Sequence, residues 1–302
     1  MTPETHAPTV RIALPIAAIK ALRPKQWTKN GVLLVPLLFA KSIFVHGQLV
    51  RAALAVASFC LLASGVYLVN DWFDREKDRL HPEKRHRPIA AGQLGPGAVV
   101  ALLLACWGGA AALALSISAS FAYVCLGYVA LQIAYTTVLK HLVVLDVMAL
   151  ALGFIVRVVA GAVAIDVVVS NWLFLCTLLG AVFLGFAKRR AELSSLEQGA
   201  SAHRASLGEY TQTMLDQMMS ISAACTILAY GLYTVSPDTI ARVGSDHLKL
   251  TVPCVIFGVF RYLFLVHKRG LGGAPEKILL SDVPLIVDIA VFLGIAAWGL
   301  YF

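Results

Sequence analysis

What most constrains this chain is a succession of long apolar runs, nearly free of charge and separated by short polar segments. A run of about 18 to 25 such residues crosses the hydrocarbon core of a bilayer as one helix. A soluble core helix of that length would carry a polar face, and these runs do not. Composition agrees: 59% of the 302 residues are hydrophobic and 14% are charged, where ordinary soluble domains carry about a quarter charged residues. The expectation is an all-α integral membrane protein, a single polytopic domain over residues 1–302. It is read as a bundle of nine transmembrane helices whose cytoplasmic loops carry the chemistry.

The spans are expected to begin near Gly31, Leu49, Pro96, Ser120, Leu142, Asn171, Met214, Leu250 and Val283. The first is short and contains Pro36, and the sixth is also short, at about 17 residues. An odd number puts the termini on opposite sides, and the loop cations decide which. Arg11, Lys20, Arg23, Lys25, Lys29, Arg75, Lys77, Arg79, Lys84, Arg85, Arg87, Lys140, Lys188, Arg189, Arg190, Arg204, Lys268, Arg269 and Lys277 fall on the N-terminal side. Those are nineteen of the 25 Lys and Arg; only Lys41, Arg51, Arg242 and Lys249 fall on the other side. The positive-inside rule then puts the N-terminus in the cytoplasm and the C-terminus outside a plasma (inner) membrane. The formal net charge of +8 would suggest nucleic acid in a soluble protein; here the loops account for it, and no nucleic-acid partner is expected. The six cysteines lie within apolar runs without C-x-x-C spacing, as small buried side chains rather than disulfide or metal ligands. A polar start with no small-residue cleavage site after the first run argues against a cleaved signal peptide.

The second span runs into Asn70-Asp71-Trp72-Phe73-Asp74-Arg75-Glu76-Lys77-Asp78. If the helix continues there, Asp71, Asp74 and Asp78 stand at i, i+3 and i+7 and fall within a roughly 60° arc. Asn70 lies at the edge of that face. Three carboxylates held together repel unless a cation joins them. Mg²⁺ is the natural partner, because it takes oxygen ligands, keeps waters and bridges to phosphate oxygens. The competing reading is a solvated helix end whose aspartates pair with Arg75, Lys77 and Arg79. Position at the very end of a span favours the metal, so Asp71, Asp74 and Asp78 are the expected catalytic metal ligands.

Other cytoplasmic segments supply cations. The loop His81-Pro82-Glu83-Lys84-Arg85-His86-Arg87-Pro88-Ile89-Ala90-Ala91-Gly92 reads either as a membrane-surface anchor or, beside an acidic cluster, as phosphate clamps at Lys84, Arg85 and Arg87. Arg23 to Asn30, with Lys25 and Lys29, is an interfacial Lys and Trp anchor or a wall of the same site. Lys188-Arg189-Arg190-Ala191-Glu192 closes the sixth span. Cations there are ordinary topology, but Glu192, one turn after Lys188, makes a ligand site with Lys188 and Arg189 toward phosphate and Glu192 toward metal. Tyr135 and Lys140, around the end of the fourth span, join the expected substrate-binding set. Arg157 lies deep in the fifth span, as a functional cation or one paired with a carboxylate or helix-end carbonyls. Asp146 shares its helical face but sits about 16 Å away along the axis. No Ser-His-Asp arrangement, nucleotide-binding glycine motif or zinc spacing is present in the sequence.

The Asn70-Asp71-x-x-Asp74-x-x-x-Asp78 motif at the end of a second span of nine resembles the UbiA superfamily of membrane prenyltransferases. The resemblance covers nearly the whole chain. It implies an all-helical bundle that binds Mg²⁺-diphosphate at this motif and an isoprenoid chain in an apolar cavity. Aromatic-prenylating members carry a second Asp-rich motif after the sixth span, where this chain has Lys188 to Glu192. That difference, with Arg23 to Asn30, His81 to Gly92, Lys188 to Leu193 and the late loop from Arg261-Tyr262 through Gly272-Gly273-Ala274-Pro275-Glu276, resembles the decaprenyl-phosphate phosphoribosyltransferase branch. The resemblance implies transfer of 5-phosphoribose from phosphoribosyl diphosphate (PRPP) to a polyprenyl phosphate, in arabinose donor synthesis for the cell wall. A homo-oligomer is compatible with it. The competing enzymatic reading joins a prenyl diphosphate to an aromatic or quinone precursor. A transporter or scaffold would show broken mid-membrane helices and paired internal charges, whereas these charges gather at the cytoplasmic mouth.

Overall fold

A computed structural model describes residues 14–81, 84–197, 205–273, 275, 278 and 281–301. Arg11, Pro82, Glu83, Arg204, Ala274, Glu276 and Lys277 lie outside them. The described residues form helices and no strand, as lipid demands of a chain that must satisfy its backbone internally. Eight helices among them are long and apolar enough to cross a membrane.

The first expected span takes another form. After α1 (Leu14–Leu22) the chain runs as a 3₁₀ helix over Pro24–Leu34 and then as α2 (Val35–Phe39), with Pro36 in its first turn. A 3₁₀ helix rises about 2.0 Å per residue against 1.5 Å in an α-helix, so this short run reaches further than an α-helix of equal length. The long helices follow: α3 (Gln48–Arg79), α4 (Pro96–Ile117), α5 (Ala119–Thr137), α6 (Leu145–Ala164), α7 (Asn171–Glu197), α8 (Gln212–Val235), α10 (Val252–Arg269) and α11 (Val283–Tyr301), with the short α9 (Pro237–Val243) after α8. The sixth span is longer than its apolar run suggested. Lys188-Arg189-Arg190 does not end α7; the helix carries on to Glu197. Thr211 caps α8 by accepting from Met214 N, Ser236 caps α9 by accepting from Thr239 N, and Gly270 closes α10 at φ 63.

The chain packs as two units. One comprises Met1–Gly31 and Leu54–Cys125, the other Val32–Ala53 and Leu126–Phe302. In the first, α1 lays Ala17 and Ala21 against Leu68, Ile89, Leu94, Val99 and Cys106. Gly65 is required there, because a Cβ would stand 2.0 Å from Trp107 Nε1. In the second unit α6 is the most enclosed helix, lined with Ala149, Ala151, Gly153, Ala160, Gly161, Ala162 and Ala164. Small residues let helix backbones approach closely in lipid. Around it α7 packs on both α6 and α8, and Val147, Phe183, Phe186, Leu215, Met219, Tyr262 and Leu265 form a core.

Candidate functional site

The acidic constellation lies in the first unit. Because α3 stays helical to Arg79, Asp71, Asp74 and Asp78 share one face, as their spacing requires. Asp71 and Asp78 are buried; Asp74 and Asn70 are half-buried. Two arginines from outside the helix hold the buried pair. Arg87, in the loop after α3, donates to Asp71 at 3.0 Å and to Asp78 at 2.7 Å. A single guanidinium thus bridges carboxylates that would otherwise repel. Arg23 donates to the same Asp71 oxygen at 2.5 Å and stands over the Tyr67 ring, 4.8 Å from its centroid. Arg23 adopts φ 54, a left-handed conformation that costs a non-glycine residue about 1–2 kcal/mol. The turn between α1 and the 3₁₀ run is set at this residue, and the ion pair to Asp71 secures it.

The loops are tied to α3 as well. Arg79 donates to the Ala90 carbonyl at 3.1 Å and pairs with Glu76, and Ile89 and Ala90 are buried. This anchors the cationic loop and places Arg87 on the acidic face. Trp27 Nε1 donates to Ser64 Oγ at 3.0 Å, and Asn30 Nδ2 lies 3.3 Å from Cys60 Sγ. The Arg23–Asn30 segment is therefore docked along α3 and is more than an interfacial anchor. Lys25 and Arg85 are exposed, while Lys29 and Lys84 are half-buried.

The donor set fits a divalent cation. Arg23 and Arg87 engage Asp71 and Asp78, and the Asp74 carboxylate has no ion-pair partner among the described residues. Three carboxylates against two guanidinia leave one negative charge on hard oxygen donors, the chemistry Mg²⁺ takes. Among the described residues no three Asp, Glu, His or Cys side chains are placed to hold a metal ion between them. Mg²⁺ typically keeps waters and phosphate oxygens in its shell, so a closed protein cage is not what it requires.

The second unit holds a different network. Arg189 on α7 is wholly buried, and its Nε lies 2.6 Å from Asp146 Oδ2, also wholly buried. The same guanidinium pairs with Glu192 and donates to Tyr135 Oη at 3.2 Å. Asp146 Oδ1 accepts from the Tyr210 hydroxyl at 2.9 Å, and that hydroxyl oxygen accepts from Val144 N at 2.7 Å. Val144 stands at φ 67, and Leu145 N donates to Val143 O at 2.8 Å, so the entry to α6 is a strained three-residue turn on a β-branched residue. One turn away Ser206 Oγ donates to the Lys140 carbonyl at 2.9 Å. The segment before α8 is thus fastened at Ser206 and Tyr210 to the segment before α6. Burial pushes the Tyr210 phenol up to about 12, with Asp146 adding to the shift and the Val144 amide opposing it. Tyr210 is consequently a neutral donor at any physiological pH.

These contacts revise three expectations. Arg189 has no exposed surface with which to meet a phosphate; it holds Glu192 and Tyr135 in place. Glu192 is partly exposed but already shares a carboxylate oxygen with Arg189, so any metal it binds competes with that pair. Arg157 is engaged by a main-chain carbonyl and by aromatic side chains. It donates to Gly153 O at 2.9 Å and Tyr128 Oη at 2.8 Å, and lies 4.9 Å and 5.6 Å from the ring centroids of Tyr128 and Phe154. Lys140 and Lys188 are half-buried. Sequence reasoning missed Asp146 as the partner of Arg189, and missed Tyr210 altogether. The available signal was a carboxylate at the start of a span whose one other charge is Arg157.

With the geometry in view, comparison with known proteins is informative. Residues 32–277 match the model of the UbiA prenyltransferase family. A protein of Mycolicibacterium smegmatis named decaprenyl-phosphate phosphoribosyltransferase is 34% identical, over 94% of this chain and 92% of that relative. One of the same name from Corynebacterium glutamicum is 36% identical, over 89% of this chain and 82% of the relative. Among solved structures, a UbiA homolog from Archaeoglobus fulgidus bound to GPP and Mg²⁺ superposes with a TM-score of 0.71 at 19% identity, covering 95% of this chain and 100% of that one.

Proposed function

We propose, from the premise that this chain belongs to the UbiA prenyltransferase family, that it transfers 5-phosphoribose from PRPP to a polyprenyl phosphate and releases diphosphate. The observation that carries the reading is the 34% identity, over 94% of this chain and 92% of the relative, with a decaprenyl-phosphate phosphoribosyltransferase. The basic segment from Lys188 supports it, since a donor with a 5-phosphate brings more negative charge than a prenyl diphosphate. The orientation follows from the loop cations: N-terminus cytoplasmic, C-terminus outside, in a plasma membrane.

In the reaction the bond from ribose C1 to diphosphate breaks and a C1–O bond to the acceptor phosphate forms. The acceptor oxygen is anionic already, so no general base has to remove a proton. Mg²⁺ bound at the carboxylates would neutralise charge on the departing diphosphate. The chain's own part is positioning and electrostatics. Arg23 and Arg87 fix Asp71 and Asp78 before any ligand arrives, which leaves Asp74 as the uncommitted oxygen donor. Both guanidinia, with Lys25, Lys29, Lys84 and Arg85, can grip phosphate oxygens. Lys140 and Lys188 serve the 5-phosphate, and Arg189 positions Tyr135 and Glu192 without touching the donor.

The test is a purified-protein assay with radiolabelled PRPP, polyprenyl phosphate and Mg²⁺. Phosphoribosylated lipid should form, and EDTA should stop the reaction reversibly. Lys188→Ala should lower kcat/KM for PRPP on the order of tenfold, since a hydrogen bond to a charged group contributes about 1.5–3 kcal/mol. Absence of PRPP binding, together with product from a prenyl diphosphate and an aromatic acid, would replace this reading by the prenyl-transfer one.

A further inference from the structure

The second unit contains a cavity of about 830 Å³ whose lining includes none of the residues assigned to the reaction above. Its mouth is made by Lys41, by the Val167–Ser170 connection between α6 and α7, and by α9 with Asp238 and Arg242. The lining also includes Phe39, Trp172, Cys176, Tyr230, Val255 and Phe292. Along α7 the mouth lies near Trp172, about 25 Å by helical rise from Arg189. The cavity therefore opens at the end of the bundle remote from the Arg189 network. Its size falls in the usual range of small-molecule pockets, roughly 300–1,000 Å³.

Charge at the mouth is selective. Cations are scarce on this side of the chain: Lys41, Arg51, Arg242 and Lys249 are all it has outside the spans, and two of these line the cavity. Lys41 is held there by a 2.6 Å hydrogen bond from its Nζ to Val243 O. That bond occupies one of three ammonium donors. Arg242 is exposed and makes no ion pair among the described residues. Asp238 is the single carboxylate in the lining and makes no ion pair either. The mouth thus keeps a guanidinium and part of an ammonium for an anion, above walls of Val, Phe, Trp and Tyr.

An anionic head above an apolar shaft describes a lipid. The geometry points to a binding site, at the bundle end opposite Arg189, for a lipid carrying a phosphate head, with a membrane phospholipid of that leaflet as its occupant. Arg242 and Lys41 receive the phosphate, and one acyl chain descends between Trp172 and Phe292. A free phosphate would leave the apolar shaft unfilled, and a neutral lipid would leave Arg242 without its anion. The assignment is independent of which group the enzyme transfers, so its failure and that of the phosphoribosyl reading are separable.

The experiment exchanges the full-length protein into phosphatidylcholine nanodiscs with and without phosphatidylglycerol and counts retained lipid by native mass spectrometry. Wild type should retain one phosphatidylglycerol in preference to phosphatidylcholine. Arg242→Ala should lose that preference by on the order of tenfold, and Arg242→Lys should keep most of it. The detergent-titration midpoint should be unchanged in both, which shows that they fold whatever group the enzyme transfers. Equal retention by wild type and a folded Arg242→Ala would overturn the site. Equal competition by inorganic phosphate would reduce it to an anion site and overturn the lipid assignment. Displacement by substoichiometric polyprenyl phosphate would give the cavity to the substrate lipid instead of a phospholipid.

Discussion

At the scale of single residues, the acidic cluster was legible and its cations were not. The i, i+3, i+7 spacing of Asp71, Asp74 and Asp78 needs only that α3 continue past the apolar run, and it does. Arg23 and Arg87 reach Asp71 from 48 and 16 residues away, and nothing local distinguishes them from Lys25 or Arg85. Arg189 and Arg190 are neighbours in sequence, yet one is wholly buried against Asp146 and the other pairs with Asp216 at 2.5 Å. Which side of a helix is enclosed decides between them, and that is a property of packing. Asp74→Asn, which removes the uncommitted carboxylate and no ion pair, should abolish turnover with unchanged stability. Full activity in that variant would take Asp74 out of the metal site. Asp146→Asn should behave oppositely. It removes the wholly buried partner of Arg189 and leaves the partly exposed Glu192 alone to balance that charge, a loss of up to about 3–5 kcal/mol, measurable as a lower denaturation midpoint. Tyr210→Phe should cost less, about 1–3 kcal/mol, because it strips one hydrogen bond from Asp146 and one from the Val144 amide. The raised phenol adds a pH signature. A group protonated more tightly in the folded state stabilises fully below its ordinary value near 10, and that stability is lost as pH rises from there toward about 12. Tyr210→Phe should flatten stability across that alkaline window, and an unchanged profile would show the hydroxyl is not linked to folding.

At the scale of elements, hydropathy revealed the eight long helices because lipid imposes one condition on every span. Other forces act at two places. Pro36 and the polar stretch from Lys25 to Asn30 give a 3₁₀ run and a single α turn where a short span carrying Pro36 was expected. The charges at Lys188, Arg189 and Arg190 looked like a helix end, but good helix formers need not stop where lipid stops, and α7 continues to Glu197. The α6 helix shows what holds such elements together. A Cβ on Gly161 would stand 2.1 Å from the backbone oxygen of Leu33, so only glycine lets the short first segment lie against α6. Gly161→Val should destabilise by about 1–3 kcal/mol or more through overpacking. Gly294, with nothing within 4 Å of an added Cβ, is the matched control. Gly294→Ala should be neutral or slightly stabilising, since alanine favours the helix. Equal stability of the two variants in detergent titration would mean that the Leu33 contact is not a constraint.

At the scale of the whole molecule, the arrangement is governed by where charge can be afforded. Inside the bilayer an ionised group is tolerated when it is buried and partnered, as Arg157 is by Gly153 O and Tyr128. Outside it, cations sort by side, and the sorting is the basis for putting the N-terminus in the cytoplasm. Single cysteines test this directly. Ser118 sits in the tight connection between α4 and α5, and exposed His141 sits between α5 and α6. One span separates them, so an impermeant maleimide added to intact cells should label Ser118→Cys and leave His141→Cys unlabelled until the membrane is opened. The native cysteines lie within the spans and should give no signal in unsubstituted protein. Labelling of His141→Cys from outside, with Ser118→Cys protected, would invert the molecule and move the Asp71 cluster away from the cytoplasmic donor. Labelling of both from one side would break the span count itself.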